Sequence, residues 1–306
     1  MTTSLDLTDK ISRSQKTIVL HDTLEELWLD DNQLQQIPED IKHLAQLKRL
    51  SIYKNQLTQL PASIFNLQNL ERFNVSANKL SFIPETIGNL KKLQVLDLQH
   101  NELITIPETI GSLSHLRFLY LANNHFTSLP SALSQLKSLN YLNITYNKFT
   151  KIPECIKDLT ALLELRIYNN AIDSIPEFIG NISALRELHA MHNHIVTLPT
   201  TISHLTSLRK LILQNNKLQT LPTNIGNLQN LTELDLRTNY LRSIPDTIGQ
   251  LKSLRFLDLR DNKLTQLPDE IMNLTQLEKL DVRLNKGLAI PQWFQALELR
   301  GCTVFY

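Results

Sequence analysis

Leucine recurs every 23 residues from Leu24 through Leu47, Leu70 and Leu93 to Leu277, twelve times without a gap. A fixed period of this length describes a stack of equivalent units, each too small to bury its own apolar side chains and each completed by its neighbours. The unit beginning at Leu70 reads LERFNVSANKLSFIPETIGNLKK and shows the shared pattern, with apolar residues at positions 1, 4 and 6, asparagine at 9 and proline at 15. Alternation across positions 4 to 6 is that of a strand with one face inward, whereas the three-residue spacing after the proline is that of a helical turn. Each unit therefore reads as strand, bend and short return. In the unit from Leu93, the expected core is Leu93, Leu96, Leu98, Leu103, Ile106, Ile110 and Leu113. Stacking such sets removes apolar surface from water at about 25 cal/mol per Å².

Asparagine fills position 9 in all twelve units, from Asn32 to Asn285, and all twelve prolines, Pro38 to Pro291, share position 15. A buried amide side chain offers two donors and an acceptor, so each Asn is expected to satisfy backbone groups of its own unit and the next. Proline fixes φ and removes a donor where the return starts, a place that tolerates both at a first helical turn. Five of the seven glycines, including Gly88 and Gly226, fall four residues after the proline.

The ends depart from the pattern as solenoid caps must. Residues 1–23 read as a degenerate capping coil, in which Leu5 and Leu7 match the strand and Asp9 and Ile11 stand for the Asn and the following Leu. Residues 24–299 hold the twelve repeats, and 300–306 a capping strand. There Leu299, Cys302 and Val304 repeat the spacing of positions 1, 4 and 6, with Cys302 as a small core residue rather than a reactive thiol. The whole reads as one domain and as a monomer.

A net charge of +1 gives no bias toward nucleic acid or anionic membranes. No secretory leader and no stretch of roughly eighteen apolar residues stands out, so a membrane-free protein is expected. The two cysteines lack metal-ligand spacing, which fits a reducing compartment. With no phosphate loop, nucleophile elbow or HExxH, neither an enzyme nor a cofactor is expected.

Over residues 24–299 the units resemble the leucine-rich-repeat family, specifically the cytoplasmic 23-residue class of Ras-suppressor and Scribble-type scaffolds and many bacterial repeat proteins. The resemblance implies an α/β fold: a right-handed solenoid or horseshoe, with a curved parallel sheet on the concave face and short helical or 3-10 returns on the convex face. It also implies a non-catalytic module that binds a protein partner, as a cytoplasmic signalling scaffold or as a bacterial effector delivered into a host cell. The closing PQWFQALELRGCTVFY resembles the native end of bacterial members, which implies that no downstream domain is lost.

Positions 3, 5, 7 and 8 are expected to face away from the core and to tile one surface. Phe118, Tyr120, Tyr141, Tyr146, Arg166, Tyr168, His189, Met191, His192 and Ile212 occupy these columns in the middle units, and Tyr53 an earlier one. Aromatic residues, Met and Arg are the types that interface centres favour, although cross-strand packing alone also explains a row of tyrosines. Toward the carboxyl end Asp235, Asp258 and Asp281 fill one column, and Arg237, Arg260 and Arg283 another. This pattern is either a grip for a partner of mixed charge, which puts Arg237 and Arg260 in the site, or a self-satisfied ladder. At the amino end Glu25, Glu26, Asp30 and Asp31 surround Trp28, as an anchor for a basic peptide or as packing under the cap. The alternative function is a metal- or His-dependent hydrolase built on His189, His192 and His194, with His100 and His125 at earlier bends. A partner site sensitive to pH is the other use of those imidazoles.

Overall fold

In a computed structural model, which describes residues 3–10, 20–37 and 39–306, the chain divides into two compact units. One comprises residues 1–148 and 153–159, the other 149–152 and 160–306. The first carries β1 (Ser4–Asp6), β2 (Glu26–Trp28), β3 (Arg49–Ser51), β4 (Arg72–Asn74), β5 (Val95–Asp97), β6 (Phe118–Tyr120) and β7 (Tyr141–Asn143). The second carries β8 (Glu164–Arg166), β9 (Glu187–His189), β10 (Lys210–Ile212), β11 (Glu233–Asp235), β12 (Phe256–Asp258), β13 (Lys279–Asp281) and β14 (Thr303–Phe305). Within each unit every strand pairs in parallel with the next, in chain order, as in a leucine-rich-repeat solenoid. From β2 to β7 and from β8 to β13 the register advances by one period per strand, so that Leu27, Leu50 and Phe73 lie in one row. This stacks like positions on like and makes each inward side chain the floor for the next.

The returns are 3-10 turns, such as Glu85–Asn89 in the first unit and Glu177–Asn181 in the second. Proline stands just before them rather than inside: Pro84 has extended φ and ψ of -69° and 155°, and its carbonyl accepts the Ile87 amide at 3.0 Å. A 3-10 turn closes in few residues, which suits a unit with no length for a full helix. Inward residues of the Leu93 unit are all at most 2% exposed, as the periodicity predicts. Adjacent returns meet over backbone, since a Cβ on Gly88 would lie 2.8 Å from both the Oγ-bearing Cβ and the carbonyl oxygen of Thr109.

The asparagines bond as the hydrogen-bond accounting requires, but backward. Asn78 Nδ2 donates to Val75 O at 3.1 Å, to Ser76 O at 3.2 Å and to Ile52 O of the preceding repeat at 2.9 Å, while Oδ1 accepts the Leu57 amide at 3.0 Å. Asn262 in the second unit repeats the set on Leu236, Leu259, Arg260 and Leu241. The residue before each Asn is left-handed, from Asp31 with φ 54° through Tyr146 with φ 51° to Leu284 with φ 64°. A non-glycine residue there costs roughly 1–2 kcal/mol. The neighbouring amide ladder holds the bend in that conformation.

Both ends of the repeat run differ in detail from the expectation. β1 lies against β2 with Leu5 opposite Leu27, and Asp9, with φ 52°, takes the left-handed position rather than the asparagine's. Ile11 lies outside the described residues. At the other end the last return is a true helix, α1 (Phe294–Leu299), and the longer path advances the register so that Val304 faces Leu280 at position 4. Cys302 is buried, but Leu299 ends α1 at 89% exposure and is not a core residue. Trp293 and Tyr306 close over Phe294 with ring centroids 4.9 and 5.2 Å away. Among the described residues no helix is long and apolar enough to cross a membrane.

Candidate partner-binding face

In the first unit the strand face presents an aromatic cluster. The Tyr141 ring lies 4.9 Å from Tyr120 and 6.3 Å from Phe118, both tilted, distances at which aromatic pairs attract beyond their burial. Phe118 stays 38% exposed, and Tyr53 and Tyr146 project from their bends at 41% and 50% exposure. Trp28 is half-buried on β2. Between Trp28 and Tyr120 lies a recess of about 470 Å³, floored by Ser51, Asn74 and Asp97 and rimmed by Arg49, Arg72 and Val95. Short side chains at position 5 of β3, β4 and β5, set between two bulky ones, make this hollow. The sequence reading singled out Trp28 and Tyr120 but not the short residues between them, whose signal was their small size in a column otherwise rich in large side chains.

The polar floor is built rather than idle. Asn74 Oδ1 accepts the Ser76 amide at 3.0 Å, and Asp97 Oδ1 accepts the Gln99 amide at 3.0 Å. Burial pushes the Asp97 carboxyl above its ordinary range despite those bonds. The same device recurs where position 5 is Asp or Asn: Asp6, Asn143, Asp235 and Asp258 each accept the amide two residues on. Position 5 therefore caps the end of the strand, a role sequence reasoning missed although an Asx two residues before a bend is its signature.

The acidic rim around Trp28 is neutralised one repeat along. Lys48 pairs with Glu25 at 2.9 Å, Arg49 with Glu26 at 2.9 Å and Lys54 with Asp31 at 2.7 Å, while Asp30 accepts the Tyr53 amide at 2.8 Å. The carboxyl-terminal ladder is likewise closed on itself. Arg237 meets Asp235 at 3.2 Å, Arg260 meets Asp258 at 2.6 Å and Asp281 at 3.4 Å, and Arg283 meets Asp281 at 2.7 Å. Burial outweighs Arg237 at Asp235 and pushes its carboxyl up to about 6.

In the second unit, Arg166 Nε donates to Glu164 Oε1 at 2.5 Å, and Tyr168 and Met191 are half-buried. Ile212, expected on the open surface, is 7% exposed, set between His189 and Asp235 on the neighbouring strands. The histidines do not converge. His192 faces Asn215 and His194 is exposed, and in the first unit His125 is exposed. His189 instead joins Glu187 at 2.9 Å and Glu164 at 3.9 Å. Burial pushes the Cys155 thiol up to about 11, which favours the neutral thiol over the thiolate at neutral pH.

A strand-lined, parallel, single-period stack with returns on its other side defines a leucine-rich-repeat protein. The chain belongs to the leucine-rich-repeat family: the profile of the leucine-rich repeat region matches residues 18–106, 104–212 and 199–298. No curated protein matches it in sequence. Among solved structures it is similar to a leucine-rich-repeat protein of Leptospira interrogans, with 32% identity over 93% of this chain and 84% of that one and a TM-score of 0.68. It is also similar to the plant peptide hormone receptor RGFR1 in complex with RGF2, with 30% identity over 99% of this chain and 49% of the receptor and a TM-score of 0.81. The leucine-rich-repeat chain FLRT2, in an octameric complex with Latrophilin 3 and Unc5D, aligns at 26% identity over 89% of this chain and 86% of that one, with a TM-score of 0.72.

Proposed function

We propose that the chain is a non-catalytic interaction module whose strand face holds a protein partner, as a signalling scaffold or as a bacterial factor acting on a host protein. The observation that carries this reading is the aromatic face of the first unit, where Phe118, Tyr53 and Tyr146 are exposed beside a recess that Trp28 and Tyr120 bound. Exposed aromatics around a hollow are what hot spots are made of, and lone surface apolar residues are not. Similar folds captured with RGF2 and with Latrophilin 3 and Unc5D support a proteinaceous occupant. The neutralised charges at Trp28 and along the Asp–Arg ladder argue that contact there is by shape and apolar surface rather than by net charge.

The test places a photo-crosslinking amino acid at Tyr53 or Tyr146, and as a control at Ser112 on a return. Crosslinks to one protein from the first two positions, lost when Tyr53, Phe118 and Tyr146 are all changed to Ala, are the expected outcome. Crosslinks only from Ser112, or capture unchanged in the triple variant, would sink the reading. Running the capture in lysate of the producing cell and of a host separates scaffold from effector.

A further inference from the structure

We propose that Glu164, Glu187 and His189 form a binding site for one divalent transition-metal ion, Zn²⁺ or Co²⁺ in chemistry, on the face of β8 and β9. Glu164 and Glu187 are direct register partners on the two strands, and His189 stands two residues along β9 on the same face. One ligand atom from each lies within 4.8 Å of the others, with His189 Nε2 2.9 Å from Glu187 Oε2 and 3.9 Å from Glu164 Oε1. An ion bound at about 2.0–2.2 Å to nitrogen and carboxylate oxygen fits between ligands at such separations.

Of the flanking cations, Arg166 sits on Glu164 Oε1, the oxygen nearest His189, and must swing away as the ion binds, whereas Lys210 can stay where it is. Lys210 Nζ approaches the other oxygen of Glu187, Oε1, at 3.2 Å, leaving Oε2 toward His189. Arg166 Nε holds Glu164 Oε1 at 2.5 Å. The Glu187 carboxylate, held by Lys210 through its other oxygen, is pre-oriented as a metal ligand with that lysine in the outer shell. The donor set of two oxygens and one imidazole nitrogen selects a first-row transition ion over Ca²⁺ or Mg²⁺, which prefer oxygen alone.

Metal binding is measured without any partner, so it stands or falls apart from the reading above. The full chain, stripped with chelator and dialysed, is titrated calorimetrically with ZnCl₂ and with CoCl₂. One equivalent is expected to bind with Kd on the order of 1–10 μM and to raise Tm, with MgCl₂ giving no heat. Glu187→Gln and His189→Gln, which keep side-chain size on an open sheet face, are each expected to weaken Zn²⁺ binding at least about tenfold while retaining the Tm of the metal-free chain. His204→Ala, on a return, serves as the control and leaves the titration unchanged. Absence of stoichiometric binding, or binding that survives both glutamine substitutions, overturns the proposal. If either glutamine variant unfolds, zinc-dependent loss of the His189 ring signals in an NMR titration of the unmodified chain decides in its place.

Discussion

At the scale of single residues, the asparagine of each repeat ties the bends of two successive coils together. Asn78→Ala removes three donated bonds and one accepted bond among buried backbone groups. Each group left unpaired costs about 1–3 kcal/mol, so chemical denaturation should show a loss of at least that size, and a variant within 0.5 kcal/mol of the parent would contradict the accounting. Gly88→Ala should also destabilise, by about 1–3 kcal/mol, because its methyl group would collide with the Thr109 backbone rather than with a movable side chain. The asparagine was legible as a buried amide because of its periodicity. Its direction was not, since spacing is the same forward and backward. The left-handed residue before it was hidden for another reason: Asp, Lys, Ala, His, Tyr and Leu all occupy it, so no residue type marks the backbone angle.

At the scale of elements, strands and returns followed from the alternation at positions 4 to 6 and from the prolines, but the surface between inward residues did not. A periodic column states which way a side chain points and not what its neighbours lay over it. Ile212 and Asp281 are covered, whereas Tyr146 at its bend is open. The Asp–Arg rows looked equally like a grip and a ladder until distances separated them. Asp235 yields a prediction at this level. Its folded carboxyl is raised to about 6 from an ordinary 3.8, so the folded state holds a proton that the unfolded chain has released between those values. Stability contributed by this residue is therefore lost as pH rises from about 4 to 6, by up to about 3 kcal/mol. Asp235→Asn should flatten that part of the stability–pH curve and stabilise the protein at pH 7–8, and a curve unchanged in shape would refute the assignment.

At the scale of the whole molecule, contacts among the described residues run, within each unit, between consecutive strands and between consecutive returns, apart from α1 against β14. A chain so organised has no distant partner to lose when one period is excised. Deletion of residues 70–92, one full repeat in the first unit, should leave a folded protein with unchanged spectroscopic signature and a lower Tm. Deleting 73–92 instead, which breaks the period, should abolish cooperative melting, and equal behaviour of the two deletions would speak against a nearest-neighbour stack. The architecture was legible because the period leaves few alternatives. The caps were less so: β1 and α1 are the places where the register departs from the period, and a repeat-based reading places Asp9 and Leu299 by the rule that those segments break.

The backward reach of the asparagines gives the array a polarity in time as well as in space. The bend of one coil stays incomplete until the following coil supplies its amide, as Leu57 waits for Asn78 and Leu241 for Asn262. A nascent chain leaving the ribosome thus locks each turn only after 21 more residues have emerged, so the growing end is always one coil looser than the part already made. After Asn285 the repeat pattern gives way to α1 and β14, and β14 pairs with β13 in place of a further asparagine-bearing coil.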